Sequence, residues 1–393
     1  MKKYRILTLA VFLLYVTYMA AKNIYTSEII EIVRHFGVSK SDASLATSFS
    51  FIAYALCQLL FIRIIGKINV NRYLLIVSPV SAALFAAVPF CTAIWQVWVI
   101  IGLIGAILSG VFPVCMLVIG EYLPDSLIFP ANKAMGAAFA LSFVLDYFFS
   151  SLFIRIADWR LGFYVFPAIY LLTVVFFCVV FAKCPRQERE RKEENGSKRE
   201  HRKKVFIYMF ISGMTGLFVN MIYYAVSNWV PSLLNEVFGL SPSLSVFITL
   251  LIPLTGAAGC AVCLDLCKRF GFWRAAFALV TVSGVLSVVL TGVYGIAFIL
   301  TLVLVIILLF IVRGVSHAMG FHVPVEARNV ISPASAGTAI NIFGCIGAAA
   351  GPPLFGALID GPGGYTAFFA ASAAAAVILS AFSFAGLKKL SKV

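Results

Sequence analysis

The hexapeptide FGVSKS (Phe36–Ser41) returns 202 residues later as FGLSPS (Phe238–Ser243). Two more matches keep that offset. Arg72 meets Arg274, and Asp158, Gly162 and Phe163 meet Asp360, Gly364 and Tyr365. Each match alone is short. Three in register identify an internal repeat, and a repeat of this length sets the architecture before any single residue does.

What is repeated follows from composition. The chain is 62% hydrophobic and only 12% charged, with a mean hydropathy of +1.02. Soluble domains have roughly 45–50% apolar and about 25% charged residues. The apolar residues fall into runs of about 20, the length a helix needs to cross a bilayer. ILTLAVFLLYVTYMAA is the first and YTAFFAASAAAAVILSAFSF the last. Twelve spans are expected, near 6–32, 44–64, 73–92, 95–118, 132–155, 161–182, 206–233, 243–263, 275–293, 295–320, 335–358 and 365–386. The first run follows Lys2, Lys3 and Arg5 and so imitates a signal peptide. With no cleavage site ahead of a soluble domain, it reads as a retained span.

Six spans separate the two copies of the repeat, so both halves enter the membrane the same way round. The expected fold is an all-α membrane protein of twelve transmembrane helices in two six-helix bundles, residues 1–182 and 205–393. The bundles are parallel repeats about an axis along the membrane normal. Between them KCPRQERERKEENGSKREHRKK (183–204) is rich in charge and poor in apolar residues, and reads as a solvated linker.

The charge distribution gives the orientation. With the N-terminus inside, 24 of the 30 lysines and arginines fall in inner segments: at both ends, in the linker, and around Arg63, Lys67, Arg72, Lys133, Lys268, Arg269, Arg274 and Arg328. Outer segments hold only Arg34, Lys40, Arg155 and Arg160. The positive-inside rule then puts both termini and the linker in the cytoplasm, in a multi-pass protein of the cell (inner) membrane. The net charge of +14 is thereby an inner-face signature and calls for no nucleic-acid partner. The expected partners are a small-molecule substrate, a coupling ion such as the proton, and the bilayer, with the chain a monomer.

Cys260, Cys263 and Cys267 have a spacing that imitates a metal site but is equally one helix face, with no histidine near. They read as apolar filler. No metal, cofactor or catalytic residue is expected. Signatures for nucleotide phosphates, nucleophile triads and paired glycosidase carboxylates are absent, and no ATPase domain fits, so any transport must run on gradients.

Charged groups inside spans are few, and each costs roughly 2.5–3.5 kcal/mol on insertion scales unless it faces water, a partner or a substrate. Lys22, in YMAAKNIYT (18–26), shares a helix face with Tyr15 and Tyr18, and Asn23 and Thr26 extend that polar stripe. It reads as an anion-binding cation, or as a side chain snorkelling to the outer headgroups. Arg313, in LFIVRGVSHAMGF (309–321), has the planar fork that suits carboxylate or phosphate, or anchors headgroups. His317, one turn on, is a proton carrier or a structural hydrogen-bonder. Asp146, in LSFVLDYFFSS (141–151), is a coupling group or an ion-pair partner for Lys22. A second polar-aromatic face on the seventh span holds Asn220, Tyr223, Tyr224, Asn228 and Trp229, with Tyr224 the repeat mate of Lys22; it reads as part of a site between the first and seventh spans, or as an aromatic interface belt. Asn341, in GTAINIFG (337–344), is expected on the eleventh-span side of a cavity. GLIGAILSGVFP (102–113) and GCIGAAAGPP (344–353) offer small faces for close helix approach and prolines that soften the helix.

The whole chain resembles the major facilitator superfamily: six plus six helices, a charged cytoplasmic linker and short outer loops. The branch it most resembles is the organophosphate:phosphate antiporter and anion:cation symporter group. YMAAKN (18–23) is similar to that group's first-helix stretch. DWRLGFYVFPAIYLL (158–172) is similar to the start of its sixth helix, and YYAVSNWVPSLL (223–234) to its seventh, with Trp229 and Pro231 in register. The departures are specific. Ala21 and Tyr223 stand where phosphate-exchanging members place arginines, and Phe139 stands where they place a histidine, while Lys22 is kept. The superfamily loop signature survives only as GKINVNR (66–72), and loosely as DLCKRFGFWR (265–274) through Asp265, Gly271 and Arg274. The resemblance implies alternating access of two bundles, not phosphate-ester exchange as such.

The expected function is secondary active transport of a small organic anion, a carboxylate or phosphorylated metabolite, by ion-coupled symport or antiport. Lys22 and Arg313 would attract the anion, with Tyr18, Asn23, Tyr223, Tyr224, Asn228, Trp229 and Asn341 around it. The alternative is a proton-driven multidrug or metabolite exporter centred on Asp146. A third reading is a transport-inactive sensor signalling through the linker.

Overall fold

The computed structural model describes residues 2–64, 68–156, 158–186, 199–326 and 333–390. Most of the linker (187–198) lies outside the described residues, as do Lys67, Arg328 and Lys392. Fifteen α-helices follow one another among the described residues: α1 (Lys2–Ser27), α2 (Ile29–Phe36), α3 (Lys40–Ile64), α4 (Val70–Ala87), α5 (Ile94–Leu108), α6 (Val111–Tyr122), α7 (Asp125–Ile156), α8 (Gly162–Phe181), α9 (Arg199–Phe238), α10 (Pro242–Thr249), α11 (Leu251–Phe270), α12 (Phe272–Val293), α13 (Phe298–Glu326), α14 (Pro333–Asp360) and α15 (Gly364–Leu390). They supply twelve segments long and apolar enough to cross a membrane. Fifteen helices make twelve spans because two spans are each built of two helices and the short α2 lies in none. The fourth breaks between α5 and α6 at Ser109–Gly110, inside the glycine- and proline-bearing stretch, and the eighth breaks between α10 and α11 at Leu250.

The repeated hexapeptide is a stop-and-start signal. Gly37 and its mate Gly239 have φ of 60° and 66°, the left-handed conformation that ends helices and that only glycine adopts freely. Two residues on, a serine opens the next helix. Ser39 Oγ accepts from the Asp42 backbone N–H at 3.0 Å and donates to the Asp42 carboxylate at 2.8 Å. Ser241 Oγ accepts from Leu244 N–H at 3.3 Å, with Pro242 at the first helical position.

The chain forms two compact units. Unit 1 comprises residues 1–38, 45–191 and 241–253. In it α1 packs along α7 and α8, and α4 packs on α8. Ile30, Phe143, Tyr147 and Val246 form a buried apolar cluster. The start of α10 is tied to α7 by a reciprocal pair: Ser151 Oγ donates to Ser243 O at 3.0 Å, and Ser243 Oγ to Ser151 O at 2.8 Å. Gly105 of α5 has no side chain because the Ser50 backbone of α3 fills that space.

Unit 2 comprises residues 39–44, 192–240 and 254–393. Its longest seam runs between α9 and α14. There Gly347 and Gly351 face the backbone of Leu217 and Met221, leaving no room for a Cβ. α14 stays helical through Pro352 and Pro353. The first turn of α3 is clamped onto this unit. Lys40 Nζ lies 3.0 Å from Glu236 Oε1 and 3.2 Å from Asp360 Oδ1, and Asp360 Oδ2 accepts the Lys40 backbone N–H at 2.6 Å.

Large apolar side chains such as Leu172, Phe90, Ile296 and Ile299 stand exposed on the outside of the units. Patches of this extent do not suit water; they suit hydrocarbon. Inside, some serines and threonines bond to their own helix, as Ser287 does to Ser283 O at 2.9 Å and Thr249 to Ser245 O at 2.8 Å.

Candidate functional site

In unit 1 the half-buried Lys22 of α1 extends to α3. Its ammonium nitrogen lies 3.8 Å from the centroid of the Tyr54 ring and 5.4 Å from that of Phe51, well inside cation–π range. Tyr54 is buried and accepts from Gln58 Nε2 at 3.3 Å through its hydroxyl. Behind the cation runs a column of rings. Tyr15 and Tyr18 stand 5.9 Å apart, Tyr15 and Phe112 5.7 Å, and Tyr18 and Tyr170 6.3 Å. The Tyr170 hydroxyl accepts from Ser78 Oγ at 2.8 Å. The Tyr18 hydroxyl is buried near that of Tyr54, and the buried Asn23 amide nitrogen makes no hydrogen bond among the described residues.

The ring beneath the Lys22 charge belongs to α3. Tyr54 and Phe51 carry no signal in the sequence. They are aromatics in an apolar helix, and only the packing of α3 on α1 selects them.

In unit 2 the cation and the ring come from different helices again. The cation comes from α13 and the ring from α9: the Arg313 guanidinium lies 5.0 Å from the Tyr223 ring centroid, and Tyr223 meets Tyr224 edge-on at 5.3 Å. The Arg313 stem passes over Gly256 of α11, where a Cβ would stand 3.2 Å from its Cγ. Gly256 is the repeat mate of Tyr54, so the same position supplies a ring in one unit and a gap in the other. Asn220 accepts from Ser316 Oγ at 3.3 Å and donates to Gly216 O at 2.8 Å. Asn228 is buried, and neither of its side-chain polar atoms makes a hydrogen bond among the described residues. Trp229 is wholly buried, and its indole N–H donates to Pro352 O at 2.9 Å. His317 is half-buried one turn beyond Arg313, and Asn341 of α14 is exposed.

Asp146 does not pair with Lys22. Its carboxylate is buried against α1, where the Ser27 hydroxyl lies 3.1 Å from Oδ1. Beside it stands Glu28, wholly buried at the break between α1 and α2. Glu28 is a carboxylate within the first expected span that sequence reasoning passed over; its signal was an acid inside an apolar run. An apolar groove of about 300 Å3 lined by Phe90, Trp95, Gln96 and neighbours touches none of these residues. Among the described residues no group of three or more histidines, cysteines or acids is placed to hold a metal ion.

Twelve bilayer-length helices in two repeat-related halves, each with a cation lodged over a tyrosine inside its spans, define a multi-pass membrane protein built for transmembrane transport. The chain belongs to the major facilitator superfamily, whose sequence profile matches residues 10–343. No curated protein matches it. The fold is shared with solved transporters. One is a bacterial homolog to the human lysosomal transporter Spinster, inward-facing and unoccupied (TM-score 0.83, 14% identity, 99% of this chain and 98% of that one). The same protein inward-facing and occupied gives a TM-score of 0.81 at 15% identity, over 98% and 97%. The nucleoside transporter NupG gives 0.70 at 12% identity, over 99% and 100%. At these identities the likeness is one of fold.

Proposed function

We infer that the protein is a secondary active transporter of a small organic anion, a carboxylate or phosphorylated metabolite, moved by alternating access in ion-coupled symport or antiport. The observation that carries this reading is the pair of cations, Lys22 on Tyr54 and Arg313 on Tyr223. Ring faces offset part of the cost of burying a cation without cancelling its charge, so each unit presents positive potential to a diffusing anion. Buried polar groups beside the cations support the same reading: Asn23 Nδ2 and the Asn228 amide make no hydrogen bond among the described residues, leaving them able to meet a ligand.

In this reading Lys22 and Arg313 attract the anion. Tyr18, Asn23, Tyr223, Tyr224 and Asn228 orient it, Trp229 fixes the backbone behind Asn228, and Asn341 contacts it from α14. Asp146 and His317 are the groups proposed to carry coupling. The distribution of lysine and arginine supports placement in the cell (inner) membrane with both termini cytoplasmic, and the transporter is taken to work as a monomer. The branch resemblance, carried by YMAAKN and YYAVSNWVPSLL, supports an anionic substrate.

The test is uptake of labelled carboxylates and phosphorylated metabolites into proteoliposomes, with and without a proton gradient. Loss of one charge-assisted contact costs about 1.5–3 kcal/mol, so Lys22→Ala and Arg313→Ala are each expected to weaken uptake at least tenfold. Uptake unaffected by the double variant would overturn the anion site. The exporter reading rests on the buried Asp146. It predicts drug sensitivity in a deletion strain that wild type rescues and Asp146→Asn does not.

A further inference from the structure

The repeat sets two equivalent corners side by side, and they satisfy their polar groups differently. In unit 1, where α4 begins and α8 ends, three positions have polar partners. Asn69 Oδ1 accepts from the Arg72 backbone N–H at 3.0 Å and so caps α4. Asn71 Nδ2 donates to Cys178 O of α8 at 3.4 Å. Arg186, just beyond α8, pairs with Glu121 of α6.

The 202-residue offset carries Asn69, Asn71 and Arg186 to Gly271, Trp273 and Lys388, and Glu121 to Val323. These lie in unit 2, where α12 begins and α15 ends. Gly271 has φ 83° and ψ 148°, a conformation essentially confined to glycine, so no capping side chain can stand there. Nothing lies within 4 Å of its missing Cβ, and no side chain caps α12. The Arg274 N–H, capped in its mate Arg72, is left for another acceptor. The indole N–H of Trp273, in the same first turn and only 2% exposed, makes no hydrogen bond among the described residues. Lys388 has a ring where Arg186 has an acid: its ammonium lies 4.7 Å from the Phe384 centroid.

These groups share one corner. The six-membered ring of Trp273 packs on Gly386, leaving no room for a Cβ, and Phe277 and Phe384 stand 5.5 Å apart. The first turns of α12 therefore lie along the last turns of α15. Arg274 and Lys388 are exposed, as are Lys268 and Arg269 at the end of α11. The acid of α11, Asp265, is taken by Lys268 at 3.6 Å. Arg269 lies over the Phe270 ring at 5.5 Å, and Phe270 and Phe384 are both exposed. An uncapped helix start flanked by cations suits a phosphate. Exposed rings beneath cations at the end of a span belong at the headgroup level of a bilayer, which a soluble anion would have no use for.

We propose that this corner binds one anionic phospholipid of the inner leaflet. The start of α12, Arg274 and Lys388 hold its phosphate, and Phe270 and Phe384 flank its acyl chains. The choice of leaflet rests on the proposed orientation; the site itself does not rest on transport.

The test is lipid retention by the purified full-length protein in detergent, read by native mass spectrometry with added phosphatidylglycerol, phosphatidylcholine or inorganic phosphate. Wild type is expected to keep one phosphatidylglycerol in preference to phosphatidylcholine. Removing one cation beside an anionic lipid weakens binding about fivefold, so Arg274→Gln and Lys388→Gln should each lower retention by about that factor. Arg186→Gln, in the corner that satisfies itself, should leave it unchanged. Melting temperatures near wild type, expected because both side chains are exposed, separate lost binding from lost folding. Equal retention of the two lipids by wild type, or phosphatidylglycerol binding unchanged when Arg274→Gln and Lys388→Gln are combined, overturns the proposal. So does displacement of phosphatidylglycerol by inorganic phosphate, which would assign the corner to a soluble anion. No transported substrate is present, so failure here leaves the anion site standing, and failure of the uptake assay leaves this result standing.

Discussion

Lys22 Nζ stands 3.8 Å from the centre of the Tyr54 ring, a cation from α1 seated on an aromatic from α3. The contact is within one unit, so its loss is read in stability as well as in transport. Tyr54→Leu keeps an apolar side chain but removes the quadrupole beneath a partly desolvated charge, an interaction worth about 1–2 kcal/mol. Tyr54→Phe keeps the ring and loses the hydroxyl that meets Gln58. Thermal melting of the purified protein should rank wild type, then Tyr54→Phe, then Tyr54→Leu. In Lys22→Met, Tyr54→Leu should lose most of its effect, as coupled positions do.

Arg313 depends on planarity. Its guanidinium lies over Tyr223, and lysine keeps the charge without the flat, weakly hydrated group that stacks. Arg313→Lys should therefore weaken uptake of a carboxylate or phosphorylated anion about tenfold while leaving expression and melting near wild type. Equal uptake by the two proteins would show that charge alone suffices.

The Lys40 clamp predicts an unequal pair of effects. Asp360 accepts both the Lys40 ammonium and the Lys40 backbone N–H, so it caps the start of α3 as well as pairing a charge. Lys40→Met loses only the partly exposed ion pairs, worth about 1 kcal/mol or less, whereas Asp360→Ala also orphans a helix-start donor, for about 1 kcal/mol more. Melting should fall further in Asp360→Ala. Raised salt should narrow the gap between wild type and Lys40→Met, because screening reaches exposed pairs.

Gly347 tests the α9–α14 seam. A Cβ there would press on Leu217 O and stand 3.0 Å from Met221 N, and backbone does not give way as a side-chain tip does. Gly347→Val should cost more than the roughly 1–3 kcal/mol of ordinary overpacking, read as loss of folded protein on size-exclusion chromatography. Gly292, with nothing within 4 Å of its missing Cβ, is the control: Gly292→Ala should be tolerated.

Much of the fold was legible because its determinants are local or periodic. Apolar runs of bilayer length predict spans one at a time. The repeated hexapeptide marked equivalent loops, and the structure gives its reason in a left-handed glycine followed by a capping serine at 37 and 39, and again at 239 and 241. The unusual residues were legible too. Lys22, Asp146 and Arg313 stand out because charge inside an apolar run is rare, so rarity alone flags them.

What each charge meets was decided only by tertiary structure. Tyr54 under Lys22, Gly256 beneath the Arg313 stem, and Ser27 and Glu28 beside Asp146 all lie on other helices or across a helix break. Nothing in the spacing of one amphipathic face says which face of a neighbouring helix will pack on it. The sequence by itself determined that this chain crosses the membrane in two matching halves and where its few intramembrane charges lie, since solvent selects composition and periodicity directly. The packing of helices decided whether each charge found a ring, a hydroxyl or another acid, because those contacts join residues far apart in the chain.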